Sequence, residues 1–262
     1  MKYKRVVSGV FLERPNRFIA NVLIDGREET VHVKNTGRCR ELLVLGAPVY
    51  LEEFRGIADL RKTRYDLIAV RKKSRNDSVL INVDSQAPNK VAEEALRQGL
   101  VLLPGFATPP QLLRREVVYG DSRFDLYAEG PAVQQDEGRQ CEIPLAKKVY
   151  IEVKGVTLER NGVALFPDAP TQRGVKHIRE LIRAKKAGYE AVILFVVQLE
   201  QVKCFRPNDQ THPEFGQALR EAQEAGVAVL AYSCAVERDS LHLLHSVPVQ
   251  LVPSAEIPFF SI

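Results

Sequence analysis

Cysteine is scarce and widely spaced, with four residues at positions 39, 141, 204 and 234. No two are close enough for a CxxC metal or redox pair, and four in 262 residues make no disulfide framework, so reduced thiols and no zinc are expected, in a cytoplasmic protein. Long apolar runs are also lacking. The longest, Ala191 to Leu199 (AVILFVVQL), is about half of what a bilayer-spanning helix requires, and no basic-then-apolar signal segment opens the chain. A soluble protein without a membrane partner is expected. The sequence also has no helix-turn-helix pair and no zinc finger, which argues against a sequence-specific transcription factor.

What is present is enough hydrophobic residue, 45%, for one large or two ordinary domains with real cores. Charge is unevenly spread. Residues 1–90 carry 18 Lys plus Arg against 11 Asp plus Glu, a surplus of seven, whereas residues 91–262 carry 19 against 22. A basic first third on a mildly acidic remainder fits a polyanionic partner such as DNA, although solubility alone accounts for a surplus of that size.

Periodicity divides the chain. Up to about residue 84 it reads as short strands: Arg17 to Ile24, with Phe18, Ala20, Val22 and Ile24 on one face, then Val31 to Val33, Pro48 to Phe54, Arg64 to Val70 and Ser78 to Val83. Asp25-Gly26 signals a hairpin, and one short helical piece is expected near Arg40 to Val44. Five or six such strands suit an OB-like β-barrel over residues 1–86, a fold that often binds nucleic acid. From Asn89 the period becomes helical. A helix to Gly99 is followed by a Pro/Gly-rich link, strands at Glu116 to Tyr119, Arg123 to Ala128 and Val149 to Val153, and a polar hairpin loop over Gly130 to Glu142. Then come a helix from Gln172 to Ala187 capped by Thr171 and stopped by Gly188, a buried strand at Ala191 to Val197, a helix from Pro213 and a strand from Val227. This order predicts an α/β domain over 87–245 with a partly parallel sheet. The Pro-rich tail, 246–262, is read as either disordered or docked on a neighbour, and homo-oligomerisation stays open.

The chemistry concentrates in Val149-Tyr150-Ile151-Glu152-Val153-Lys154. In a strand, Val149, Ile151 and Val153 face a core while Glu152 and Lys154 share the other face. Composition alone yields about one Glu-x-Lys by chance in a chain of this make-up, but charges on an otherwise apolar strand are costly without partners. Upstream, Asp125 sits in another strand, with Phe124 and Leu126 expected to point opposite to it. An acid on one strand and Glu-x-Lys on its hairpin partner is the PD-(D/E)xK nuclease-like pattern. Asp125 and Glu152 can hold Mg²⁺ or Mn²⁺ through oxygens, and Lys154 can orient or help deprotonate the attacking water. Glu94 is a candidate accessory ligand and Glu116 a weaker one. A structural salt bridge among Asp125, Glu152 and Lys154 explains the same spacing equally well. On the helix after Pro170, Arg173 and His177 form a flank that can touch phosphate, and Lys176, Arg179, Arg183, Lys185 and Lys186 add basic charge.

With Asp125, Glu152-x-Lys154, Ser122-Arg123-x-Asp125, the string Leu165-Phe166-Pro167-Asp168-Ala169 leading to Thr171-x-Arg173-Gly174-x-Lys176-His177, and Arg17-Phe18 and Asn35-Thr36-Gly37 near the start, the chain resembles the sugar fermentation stimulation protein A (SfsA) family over about residues 5 to 245. The loop at Gly130 to Lys148 and the tail depart from it. The resemblance implies an OB-like domain joined to a PD-(D/E)xK-type domain, and a DNA-binding protein without strong sequence preference that regulates sugar (maltose) metabolism. Arg38, Arg40, Arg173, Lys176 and His177 are the expected DNA contacts. Metal-dependent DNA endonuclease activity at Asp125, Glu152 and Lys154 is the alternative. Asp168 belongs to the family string, with helix entry or pairing with Arg173 as its only evident roles.

Overall fold

The computed structural model describes residues 1–35, 37–55, 61–73, 78–136 and 139–252. Its first part is a barrel. Strands β1 (Val6–Asn16), β2 (Ile19–Ile24), β3 (Arg27–Val33), β4 (Pro48–Glu53) and β5 (Tyr65–Lys73) pair in the order β3-β2-β1-β4-β5. The sheet closes because β3 also pairs with β5 in parallel, His32 with Asp66 and Val33 with Leu67. The barrel interior is filled by Ala20, Val22, Ile24, Val31, Val33, Val49, Leu51 and Leu67, the apolar halves of alternating strands. Strand β6 (Ser78–Asn82) extends the sheet from β5.

Three expectations for this region change. Strand β1 is absent from the periodicity reading because Phe11 is its one buried residue, so no alternation marks it. Phe18 lies in the β1–β2 turn, 46% exposed, with the Arg17 guanidinium over its ring. The stretch near Arg40 to Val44 is a hydrogen-bonded turn in which Leu42 and Leu43 donate to the Cys39 carbonyl, not a helix.

The second part is a six-stranded mixed sheet, ordered β15-β14-β12-β9-β8-β7. Its strands are β7 (Leu112–Tyr119), β8 (Ser122–Asp136), β9 (Arg139–Val156), β12 (Glu190–Val197), β14 (Ala228–Val236) and β15 (Leu241–Ser246). Helix α1 (Ala87–Arg97) covers one face over Leu126, Ile151, Val192 and Leu194. Helices α2 (Gln172–Lys186) and α3 (Pro213–Glu224) cover the other over Phe124, Tyr150, Ile193 and Phe195. Strand β12, buried on both faces, is apolar throughout its centre, as a strand parallel to both neighbours requires. The Thr171 hydroxyl caps α2 by accepting from Gly174 N at 3.0 Å. A small sheet of β10 (Leu158–Arg160), β11 (Val163–Phe166) and β13 (Cys204–Pro207) stands beside the barrel.

Of the polar stretch read as a loop, residues 130–136 and 139–142 are strand instead. The β8–β9 ladder continues past a bulge at Pro131/Ala132 to Asp136 opposite Arg139, because backbone pairing does not depend on side-chain polarity. The start of the tail folds back on its own chain, with Val247 and Leu251 buried and Val249 bridging to Phe205; residues 253–262 lie outside the described residues, as does Thr36 of the Asn35-Thr36-Gly37 string. Cys39, Cys204 and Cys234 are free and buried. No helix among the described residues is long and apolar enough to cross a membrane.

Candidate active site

Leu126 and Ile151 face each other across β8 and β9, and the next step along each strand brings in Asp125 and Glu152. On β9 the alternation holds. Val149, Ile151 and Val153 enter the core under α1, and Glu152, 2% exposed, points to the α2 side. On β8 it breaks. The expected shared face for Phe124 and Leu126 is not found: Phe124 packs on the α2 side and Leu126 on the α1 side. Asp125 lies at that break with no ladder partner, beside Glu116 of β7, whose φ is +56°. Its carboxylate replaces the missing strand bond, since Oδ2 accepts from Val153 N at 2.8 Å. Oδ1 accepts from Asn89 Nδ2 at 2.8 Å. Asn89, on the first turn of α1, is a site residue that the sequence reading missed; an amide on a helix that otherwise turns Val91, Ala92, Ala95 and Leu96 inward was the available signal.

Glu152 is held from the other side. Its Oε1 accepts from Lys154 Nζ and from His177 Nδ1. The His177 Nε2 in turn accepts from Arg173 Nε at 3.4 Å, so the partners assign the ring proton to Nδ1. The other oxygen, Oε2, is buried with no hydrogen-bond partner.

The two carboxylates are pushed apart electrically. Burial raises the Asp125 pKa, and the negative charge of Glu152 raises it further, against the hydrogen bonds from Val153 and Asn89. Burial also works to raise Glu152, but His177 and Lys154 outweigh it and hold the group below its usual value. A buried pair of carboxylates with one oxygen free of hydrogen bonds is a set of hard donors of the kind that divalent cations take. These residues therefore fit a divalent metal. No group of three or more His, Cys, Asp or Glu in metal-holding geometry exists among the described residues, so the remaining ligands of such an ion would be water, phosphate or backbone oxygens.

Other expected site residues are placed differently. Glu94 pairs with the Met1 ammonium at 2.6 Å; it follows Asn89 by five positions, roughly 140° around the helix, and so does not join Asp125. Glu116 pairs with Arg123 at 2.8 Å and is exposed. His177 is 6% exposed and committed to Glu152, so it is not presented to phosphate as expected. Lys176 is exposed and donates to the Asp121 carbonyl. Arg173 is exposed beside His177. The basic face of α2 is largely neutralised, because Arg179 pairs with Glu214, Arg183 with Glu180 and Lys185 with Glu190. Arg38 and Arg40 lie between β3 and β4 and have no acidic partner among the described residues. The backbone that carries Arg38 is pinned by Arg14, whose guanidinium donates to the carbonyls of Arg17, Asn35, Gly37 and Arg38.

Asp168 neither caps α2 nor bonds Arg173. It lies against Gly37, where a Cβ would come within 2.5 Å of its Oδ2. It thereby lines a small cavity between the two halves of the molecule with Asn35, Gly155, Thr157 and Gln198.

A closed OB barrel, joined to a three-layer α/β domain that sets an acid on one strand beside Glu-x-Lys on the next, defines a two-domain protein. Family profiles match both parts: one described as the SfsA N-terminal OB domain over residues 12–83, the other as the sugar fermentation stimulation protein RE domain over residues 86–240. The chain belongs to the sugar fermentation stimulation protein family. It is 49% identical over 254 residues to the sugar fermentation stimulation protein homolog of Desulfitobacterium hafniense (strain DSM 10664 / DCB-2), covering 96% of this chain and 99% of that one. The homolog of Alkaliphilus oremlandii is 50% identical over 243 residues, covering 93% and 96%. Among solved structures, Pyrococcus furiosus SfsA in complex with Ca²⁺ superimposes with a TM-score of 0.77 at 28% identity, covering 95% of this chain and 98% of that one.

Proposed function

We propose that this protein acts on DNA in the cytoplasm, holding it without strong sequence preference and hydrolysing a phosphodiester bond at the Asp125, Glu152 and Lys154 centre with Mg²⁺ or Mn²⁺. The observation that carries this reading is Glu152 Oε2, a buried carboxylate oxygen with no donor, beside a second carboxylate whose pKa is raised. Glu53 also has an Oε2 without a hydrogen bond, but Arg5 pairs with that oxygen at 3.1 Å, whereas both cationic partners of Glu152 converge on its Oε1. The Ca²⁺ complex of the Pyrococcus furiosus relative supports a divalent, oxygen-bound ion. When bound, such an ion supplies Lewis acidity to the phosphate and a lowered pKa to a bound water.

The chain's own residues have separate tasks. Asp125 and Glu152 present the oxygens, and Asn89 and Val153 N fix the Asp125 rotamer. His177, steadied by Arg173, orients Glu152. Lys154, which donates to Glu152 Oε1 at the end of β9, would offset negative charge on a phosphate held at this centre. Arg38 and Arg40, without an acidic partner among the described residues, hold the backbone, and Phe18 under Arg17 offers a stacking surface. Control of sugar (maltose) metabolism genes is indirect in this reading.

Plasmid nicking in Mg²⁺ or Mn²⁺, run beside Asp125→Ala and Lys154→Ala, tests it. Activity in the wild type and loss in both variants supports hydrolysis; equal activity in all three means contamination. DNA binding that persists while no nicking occurs with either metal leaves a binding protein and removes the enzyme.

A further inference from the structure

Strand β4 carries an acid where its alternation would place an apolar residue. Val49, Leu51 and Glu53 are its buried positions, so one row of side chains that begins in the barrel core ends in a carboxylate. Glu53 is covered by arginines. Its side chain is 2% exposed, whereas those of its partners Arg5, Arg55 and Arg64 are 55%, 58% and 51% exposed. Arg5 precedes β1 and Arg64 precedes β5, the two strands that flank β4 in the sheet. The backbone sets them in line, because Glu53 N donates to the Arg5 carbonyl at 2.8 Å and Phe54 N to the Arg64 carbonyl at 2.9 Å. Arg55 Nε donates to Glu53 Oε1 at 2.9 Å, Arg64 Nη2 donates to the same oxygen, and Arg5 Nε lies 3.1 Å from Oε2.

Three guanidiniums against one carboxylate leave a surplus of two positive charges. The carboxyl itself stays ionised, since the hydrogen bond from Arg55, more than any other contact, holds its pKa below the usual value against the effect of burial. Each arginine meets Glu53 through one nitrogen, and the remaining N–H groups of all three have no hydrogen-bond partner among the described residues. Like charges gathered this closely repel, and neutralising Glu53 requires one arginine, not three. The neighbouring charges are better matched. Arg61 stacks on Phe54 at 3.8 Å and pairs with Asp66, which also holds Lys34 and His32. Glu29 acts on Arg64 without an ion pair to it, and the Arg64 guanidinium lies over the Tyr65 ring at 5.3 Å, which steadies it.

We infer that Arg5, Arg55 and Arg64 form a second grip on the nucleic-acid backbone, taking two phosphates at the end of the barrel where β1, β4 and β5 meet. Arg5 and Arg55 keep both terminal nitrogens free, the pair that meets a phosphate bidentately. Glu53 is the anchor that aims the forks outward, and two phosphates match the surplus charge. This rests on the proposed action on DNA and adds a contact separate from Arg38 and Arg40, which lie in the β3–β4 connection.

Fluorescence anisotropy with the full chain in EDTA tests the grip, using a labelled duplex of about 20 base pairs and one of its strands alone, between about 50 and 200 mM salt. On duplex, Arg55→Ala/Arg64→Ala should flatten the slope of log K against log salt by about 1.8, two contacts at roughly 0.9 each, and Arg5→Ala by about 0.9. Arg5 still pairs with Glu53 in the double variant; should circular dichroism show that variant unfolded, Arg5→Ala carries the test. The control Arg179→Ala/Arg183→Ala removes the same charge from exposed arginines that are each matched by an acid, and should leave the slope unchanged. An unchanged slope in the Arg5 and Arg55/Arg64 variants, or an equal drop in the control, overturns the grip while the DNA reading stands. Unchanged slopes together with loss of pyrophosphate binding by calorimetry would assign the triad to a free phosphate, which also overturns it. A wild type that binds neither probe overturns the DNA reading and the grip with it.

Discussion

Glu152 on β9 and His177 on α2 are joined through Oε1 and Nδ1, both buried, across the interface of sheet and helix. The bond fixes which Glu152 oxygen is occupied and which is left bare, because His177 and Lys154 both converge on Oε1 while Oε2 receives nothing. Positioning of the acid thus depends on helix α2, 25 residues further along the chain. Replacing His177 with Ala is expected to weaken divalent-cation affinity about 10- to 100-fold, as loss of a partner behind a metal ligand typically does. His177→Gln, whose amide can donate to the same oxygen, should recover part of it. Isothermal titration with Mn²⁺ or Ca²⁺ reads both; unchanged affinity in His177→Ala contradicts the role.

Asp125 titrates in the direction that makes the cation-free fold pH-sensitive. Its folded pKa is raised, so the stability it contributes is present when it is protonated and is lost as pH rises through that value. Asp125→Asn keeps an acceptor for Val153 N and removes the like charge beside Glu152. In EDTA, the variant should therefore melt above the wild type at neutral pH, with the gap closing as pH falls. Added Mg²⁺ or Mn²⁺ should raise the wild-type Tm, by about 2.7 kcal/mol of stabilisation at a hundredfold excess over Kd, and leave the variant unmoved. Differential scanning fluorimetry across pH checks both signs.

Arg14 holds four carbonyls, those of Arg17, Asn35, Gly37 and Arg38. Removing the fork leaves the β3–β4 segment without its donors. Arg14→Ala should cost about 2 kcal/mol in urea unfolding, and Arg14→Lys should not restore it, because an ammonium lacks the planar spread of donors.

Gln198 ties the two halves of the molecule: its buried Nε2 donates to Asn82 Oδ1 at 2.8 Å and to the Asp84 carbonyl at 3.0 Å. Gln198→Leu removes two buried hydrogen bonds, while Asn82 Oδ1 keeps its bond from Asp84 N and the Asp84 carbonyl its bond from Ala87 N, so a loss of about 1–2 kcal/mol is expected. Urea unfolding should give a lower midpoint with an unchanged slope.

Charge reversal at Arg38 and Arg40 should lower duplex affinity and flatten the plot of log K against log salt by about 2, given a slope of roughly 0.9 per phosphate contact. Binding that does not respond to salt in the wild type would contradict phosphate contact altogether.

Local pattern determined much of this protein. Alternation placed the barrel strands β2 to β6 and the β9 face that carries Glu152, and the 3.6-residue period with Thr171 and Gly188 placed α2. These features depend on near neighbours along the chain, and periodicity records near neighbours. The family strings were legible too, as short runs of residues. What no local pattern carried were relations between distant segments. The barrel closes through β3 against β5. Asp125 leaves the alternation because its carboxylate substitutes for a ladder bond to Val153. Asn89 enters the site from α1, Glu94 leaves it for the chain terminus, and His177 turns from a presumed phosphate contact into the partner of Glu152. Asp168 and Gly37, far apart in sequence, meet only in the cavity between the two halves. Each of these was decided by which buried polar group could find a partner once the layers had packed, and that competition exists only in the folded chain.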